Sequence, residues 1–216
     1  MTPPPAVPPL LLRPPDAWSV LVLAHGAGAG MRHRFMESMA ERLARRGVAT
    51  LRFEFPYWAR GSRRVDPPAV LEQAVREAVT AGAELCPDLP RFAGGKSLGG
   101  RMTTRATAAR PLDVRGIVLL GFPLHPARRP GIERAEHLAR VPHPMLFLQG
   151  TRDALAELDL LGPVLKPLQE RGLATLHVVE GADHGFDVLR RSGRTGEEVL
   201  EELADTAAAW MRARVD

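Results

Sequence analysis

Short apolar runs recur along the chain at Val20–Ala24, Ala49–Phe55, Arg91–Gly94, Gly116–Gly121, Met145–Gly150 and Ala174–Val179. Runs of this length, apolar at successive positions rather than alternate ones, predict parallel strands covered on both faces. Between them the apolar spacing changes to that of a helix. Residues 33–46 place Phe35, Met39 and Leu43 on one stripe, and residues 67–86 do the same with Val70, Leu71, Ala74, Val75, Ala78 and Val79. Residues 98–109 are alanine-rich, 159–171 carry Leu160, Leu161, Val164, Leu165 and Leu168, and 197–213 carry Val199, Leu200, Leu203 and Trp210. Alternating strands and helices predict an α/β protein: a mostly parallel, doubly wound sheet of six to seven strands with helices on both faces.

The proline-rich start, residues 1–16, is expected to be extended, with Leu10–Leu12 as an edge strand. No linker interrupts the pattern after it, so residues 17–216 are expected to form one domain. The 216 residues are enough for one substantial core. Hydrophobic residues at 45% and charged residues at 25% exclude a disordered or fibrous chain. No apolar run reaches the ~18–20 residues that cross a bilayer, and the first residues lack the basic start and apolar core of a secretion signal. Cys86 is the only cysteine, so no internal disulfide or paired-cysteine metal site can form. A reducing, cytoplasmic location is expected.

The net charge of +4 comes almost entirely from arginine, since Lys96 and Lys166 are the only lysines among 29 basic residues. The Arg pairs at 45–46, 63–64, 128–129 and 190–191 are flanked by acids or prolines. None forms a stripe with interleaved aromatics, so the basicity is read as solvated surface and no nucleic-acid or membrane partner is expected.

In doubly wound sheets, ligands bind beyond the carboxyl ends of the strands. At one such end stands Gly94-Gly95-Lys96-Ser97-Leu98-Gly99-Gly100, with Gly-x-Ser-x-Gly closing a strand and opening a helix. A serine on this sharp turn needs small residues two before and two after it, where backbones cross. Of the chain's five serines only Ser97 has this setting. A serine nucleophile needs a base and an acid to orient that base. Asp153 follows the strand ending at Gly150, and His184 follows the next strand, so each falls in a separate strand-end loop. Asp183 and Asp159 are the rival acids, read as loop and helix-capping residues. The loop His25-Gly26-Ala27-Gly28-Ala29-Gly30 follows the first long strand, where small residues can present N–H groups to an oxyanion. Ala27 and Leu98 are the expected donors, with Gly28 the substitute for Ala27, and His25 is read as structural. Phe122 and His125 are expected to wall the site, although for His125 a structural role in its proline-bracketed loop is the favoured reading. Tyr57, beside Trp58, forms either a second wall or buried packing. Neither a dinucleotide fingerprint nor HExxH is present, so no cofactor and no metal are expected.

The elbow with its trailing Gly100-Arg101 resembles the α/β-hydrolase fold. His25-Gly26-Ala27-Gly28-Ala29, Gly121-Phe122-Pro123-Leu124-His125-Pro126, Gly150-Thr151-Arg152-Asp153 and Asp183-His184 narrow the resemblance. They are similar to a compact subgroup of bacterial predicted hydrolases, to dienelactone-hydrolase-like proteins, and to the testis-expressed and NSL-complex hydrolase-like proteins of animals. The resemblance runs from about residue 18 to the C-terminus and implies Ser97, Asp153 and His184 as a triad. One departure from the resemblance is Lys96, which stands where many members of the family carry Arg. Only 23 residues separate Gly121 from Met145, too few for a helical cap domain. The expected function is hydrolysis of a carboxylic ester or thioester by a monomer or homodimer acting on a small-molecule acyl substrate. The alternative is a hydrolase-like scaffold that binds a protein and turns over little or nothing.

Overall fold

The computed structural model describes residues 7–215. Its single sheet has seven strands: β1 (Leu10–Leu12), β2 (Ser19–Ala24), β3 (Val48–Phe53), β4 (Arg91–Lys96), β5 (Ile117–Leu120), β6 (Met145–Gly150) and β7 (Ala174–Val179). They lie in the order β1-β3-β2-β4-β5-β6-β7, and all neighbours are parallel except β1, which pairs antiparallel with β3 at the edge. The extended N-terminal segment thus contributes a strand from residue 10 onward. Residues 1–6 of that segment lie outside the described residues. Five α-helices lie between the strands and a sixth follows the last: α1 (Arg34–Ala44), α2 (Pro56–Ala59), α3 (Pro68–Leu85), α4 (Leu98–Ala109), α5 (Leu158–Glu170) and α6 (Gly196–Arg212).

The continuous apolar runs are explained by two cores, one on each side of the sheet. In β2, Leu21 and Leu23 join Met36, Met39 and Leu43 of α1 and the buried stripe of α6. Val20 and Val22 point the other way, into the layer under Leu71, Val75 and Val79 of α3. In β5 and β6 the same split places Val118, Leu120, Leu146 and Leu148 against α6, and Ile117, Leu119, Met145 and Phe147 against Leu161, Leu165 and Leu168 of α5. With side chains alternating across each strand, both faces must be apolar for both helical layers to dock.

Two features lay beyond the periodicity. The four-residue α2 starts at Pro56, whose fixed φ suits a first helical position. A 3₁₀ segment, Glu133–Arg140, occupies the stretch between β5 and β6, burying Ala135 and Leu138 on the α5 side. No lid domain is inserted there among the described residues, and no described helix is long and apolar enough to cross a membrane. The arginine pair at 45–46 is spent in ion pairs: Arg45 reaches Glu201 at 2.6 Å, and Arg46 reaches Asp205 and Glu201 at 2.7 Å each.

Register determines what the strand ends bring together. Ala24 lies opposite both Phe53 and Gly95, Lys96 opposite Leu120, and Gly150 opposite Val179. The loops that follow these residues therefore leave one edge of the sheet at the same level.

Candidate active site

Ser97 sits between β4 and α4 with φ 50° and ψ −115°. A side-chain-bearing residue rarely adopts that conformation, at a cost on the order of 1–3 kcal/mol, and surrounding structure must hold it. The glycines around it show what does so. A Cβ on Gly95 would lie 2.6 Å from the Ala24 carbonyl oxygen and 2.7 Å from the Gly100 nitrogen. One on Gly99 would lie 2.4 Å from the same Ala24 oxygen and 2.7 Å from that of His25. The start of α4 is thus pressed against the end of β2 without side chains between them. Thr103 adds a tie by donating its hydroxyl to the carbonyls of Gly94 (3.3 Å) and Gly99 (2.9 Å).

The strand ends bring Ser97, His184 and Asp153 together. His184 Nε2 is 2.8 Å from Ser97 Oγ, and Nδ1 is 2.7 Å from Asp153 Oδ2. Asp153 is buried, whereas the His184 side chain keeps 26% of its exposure and faces the open edge. Besides the imidazole, the carboxylate accepts two further hydrogen bonds. Leu155 N–H donates to Oδ1 at 2.8 Å, and Gln149 Nε2 donates to Oδ2 at 2.5 Å. These donors and the imidazole together fix the orientation of the buried carboxylate. Gln149 is fully buried, and its Oε1 accepts from Phe122 N–H at 2.9 Å, which joins the β5 and β6 loops. Sequence reasoning missed Gln149. Its signal was an amide at the penultimate position of an otherwise apolar strand.

Asp183, the rival neighbour of His184, is occupied within its own turn, where Oδ1 accepts from Gly185 N–H (2.8 Å) and Asp187 N–H (3.0 Å). Asp159 lies in the first turn of α5.

The loop after β2 passes beside the serine. A Cβ on Gly26 would lie 3.8 Å from Ser97 Cβ. Beyond it Ala27 is exposed in a turn closed by Ala29 N–H donating to the Gly26 carbonyl at 3.3 Å. Among the described residues, no acceptor engages the N–H of Ala27 or of Leu98, the first residue of α4. The positive end of α4 lies at that same point.

This loop is held from below by residues of the β3 end. Tyr57 donates its hydroxyl to the Ala27 carbonyl at 3.0 Å, and Glu54 Oε1 accepts from Met31 N–H at 3.1 Å. His25 is fully buried: Nε2 accepts from Phe55 N–H at 3.0 Å, so Nδ1 carries the proton and donates to the Gly26 carbonyl at 2.8 Å. Burial pushes its pKa down, keeping it neutral and structural. Burial likewise raises the Tyr57 phenol to about 12, with the charges of Glu54 and Asp66 adding to the shift, so it remains a donor.

The expected walls are placed differently. Tyr57 is fully buried, so of its two roles the structure selects packing under the Ala27 loop. Phe122 is 1% exposed and stacks edge-on against Phe147 in the core. His125 is fully buried, its N–H accepted by the Leu155 carbonyl at 3.0 Å and its Nε2 paired with Glu157. Neither offers surface to a ligand, because proline-bracketed chain folds inward to tie the β5 loop to the loop carrying Asp153. A cavity of about 430 Å³ adjoins the His184 loop instead, lined by Phe35, Ser38, Phe186, Thr195 and Leu200, and Ser97 takes no part in it. Among the described residues no three His, Cys, Asp or Glu side chains converge as a metal site would require.

Comparison with known proteins agrees with this fold. A family described as an alpha/beta hydrolase domain matches residues 17–212. Dienelactone hydrolase from Anabaena variabilis superposes with a TM-score of 0.69 at 22% identity, over 95% of this chain and 91% of that one. An alpha-beta serine hydrolase homologue from Coxiella burnetii gives 0.71 at 18% identity, over 92% and 90%. A lidless serine hydrolase from Xanthomonas campestris gives 0.70 at 20% identity, over 93% and 87%.

Proposed function

The chain belongs to the alpha/beta hydrolase domain family, and on that premise we propose that it is a serine hydrolase cleaving a carboxylic ester or thioester through an acyl-enzyme. The observation that carries the reading is the unbroken chain Ser97 Oγ–His184–Asp153, at 2.8 and 2.7 Å, built on a strained elbow. Strain of that kind persists where a side chain must be aimed rather than packed.

In the first step Ser97 Oγ passes its proton to His184 Nε2 and attacks the acyl carbonyl carbon. The oxygen that becomes negative is met by the free N–H groups of Ala27 and Leu98 and by the positive end of α4. Asp153, held by Gln149 and Leu155, fixes the imidazole with Nδ1–H inward and stabilises the imidazolium. That imidazolium returns its proton to the leaving alcohol or thiol as the carbon–oxygen or carbon–sulfur bond breaks. A water then gives its proton to Nε2 and attacks the acyl-serine, and Nε2 passes that proton to Ser97 Oγ as the acyl carbon–Oγ bond breaks and the acid leaves. The open edge without a lid domain suits a small ester or an acyl group carried on a larger molecule.

The test is covalent labelling with a fluorophosphonate followed by intact mass. One adduct is expected on the wild type and none on Ser97→Ala, with labelling of His184→Ala slower by on the order of 10⁴-fold. A folded wild type that takes no adduct would overturn the reading and leave a hydrolase-like binding scaffold.

A further inference from the structure

Lys96 is the residue between the elbow glycine and the serine, and nothing in the proposed reaction uses it. It shares a strand face with Phe92, so its side chain runs toward the α1 and α6 layer. There the ammonium donates to the main-chain carbonyl of His184. It also sits 5.2 Å from the centroid of the Phe186 ring and 5.7 Å from that of Phe35, two rings stacked at 5.9 Å. A Cβ on Gly121 would lie 3.1 Å from Lys96 Nζ and 3.5 Å from His184 Nδ1, so both nitrogens flank the same point.

An ammonium in such a place is expensive to desolvate, and a methionine would fill the same volume without that cost. What the cation adds is a hold on the His184 loop. Among the described residues no other donor reaches the His184 carbonyl. The loop itself is under tension, with Phe186 at φ 68°. Resting on the serine-hydrolase reading above, we infer that Lys96 is a positioning residue: its ammonium clamps the His184 carbonyl beneath Phe35 and Phe186, keeping the imidazole between Ser97 and Asp153.

The clamp is strongest while the amine is charged, because a charge-assisted hydrogen bond is roughly twice as strong as a neutral one. Desolvation lowers the amine to about 8, against the pull of Asp153 and Asp183, which favour the charged form. Besides these two carboxylates, the groups packed around it are the His184 ring, the Phe35 and Phe186 rings and Gly121. The sign follows directly. Below about pH 8 the ammonium is present and the clamp is closed; above it the proton is lost and the clamp weakens.

The experiment is the rate of fluorophosphonate labelling at Ser97, followed by intact mass from pH 6 to 10, for wild type, Lys96→Met and Lys96→Arg. Wild type is expected to slow as pH rises through about 8. Lys96→Met should label on the order of 10- to 100-fold more slowly at pH 7, as expected for a displaced catalytic group, and lose the alkaline decline. Lys96→Arg should recover most of the rate at pH 7 and show no decline near pH 8, since guanidinium does not titrate there. Wild-type rates in Lys96→Met, or a decline near pH 8 that persists in Lys96→Arg, would overturn the inference while leaving the hydrolase reading intact. A wild type that never labels would bring down both. Should Lys96→Met fail to fold, the Arg variant's pH profile decides alone.

Discussion

Replacing Gln149 with leucine tests the support of the candidate acid most directly. The two side chains have similar volume, and the position is fully buried, so no cavity or new exposure enters. Two hydrogen bonds vanish. Phe122 N–H, which donates to Gln149 Oε1 at 2.9 Å, is orphaned inside the protein at about 1–3 kcal/mol. Asp153 loses the 2.5 Å bond from Gln149 Nε2, worth about 1.5–3 kcal/mol for a charged acceptor. Leucine's favourable burial offsets part of this, leaving a net loss of about 2–4 kcal/mol. For a chain of this length that corresponds to a Tm lower by roughly 4–16 °C. The carboxylate keeps Leu155 N–H and His184, so the site should survive in a looser form. Fluorophosphonate labelling of the folded variant at 20 °C should slow on the order of 10- to 100-fold. Thermal denaturation and labelling kinetics on the same preparation separate the two effects. A Tm within about 1 °C of wild type, together with an unchanged labelling rate, would refute the bridging role assigned to Gln149.

Two further perturbations probe the elbow and the loop beside it. Tyr57→Phe removes only the hydroxyl that holds the Ala27 carbonyl at 3.0 Å. A loss of about 1 kcal/mol in chemical denaturation is expected, with labelling slowed several-fold; stability falling with no change in labelling would place Ala27 outside the oxyanion site. Gly99→Ala puts a methyl 2.4 Å from the Ala24 carbonyl oxygen and 2.6 Å from its carbon, both main-chain atoms of a central strand. Because no side chain can swing aside, expression should yield little folded protein or one destabilised by about 3 kcal/mol or more. A variant with wild-type Tm would contradict the crossing described at the elbow.

The fold was legible because its two determinants are local. Apolar runs of strand length at consecutive positions, alternating with helical stripes, read as strands covered on both faces, and the stripes supply the covers. Even the edge strand Leu10–Leu12 was marked by prolines that forbid a central position. The elbow was legible for the same reason: Gly95 and Gly99 stand where any Cβ meets main chain, so the constraint is written in residues next to the serine. The strand-end positions of Asp153 and His184 followed from chain order.

The walls and supports were decided by tertiary structure. Phe122, His125 and Tyr57 follow strand ends as site residues would, yet all three are turned inward: the Phe122 ring packs on Phe147, while the Tyr57 hydroxyl and the His125 ring find partners on other loops. Gln149 and Lys96 gave little sign of themselves, since one reads as part of a strand and the other as a spacer in a motif. Their importance lies in contacts with Asp153 and with the His184 carbonyl, 88 positions away from Lys96 along the chain. Periodicity and backbone sterics act between neighbours in sequence and so can be read from it. Which buried donor meets which carbonyl depends on the register that aligns Ala24 with Gly95 and Gly150 with Val179, and that exists only once the sheet has formed.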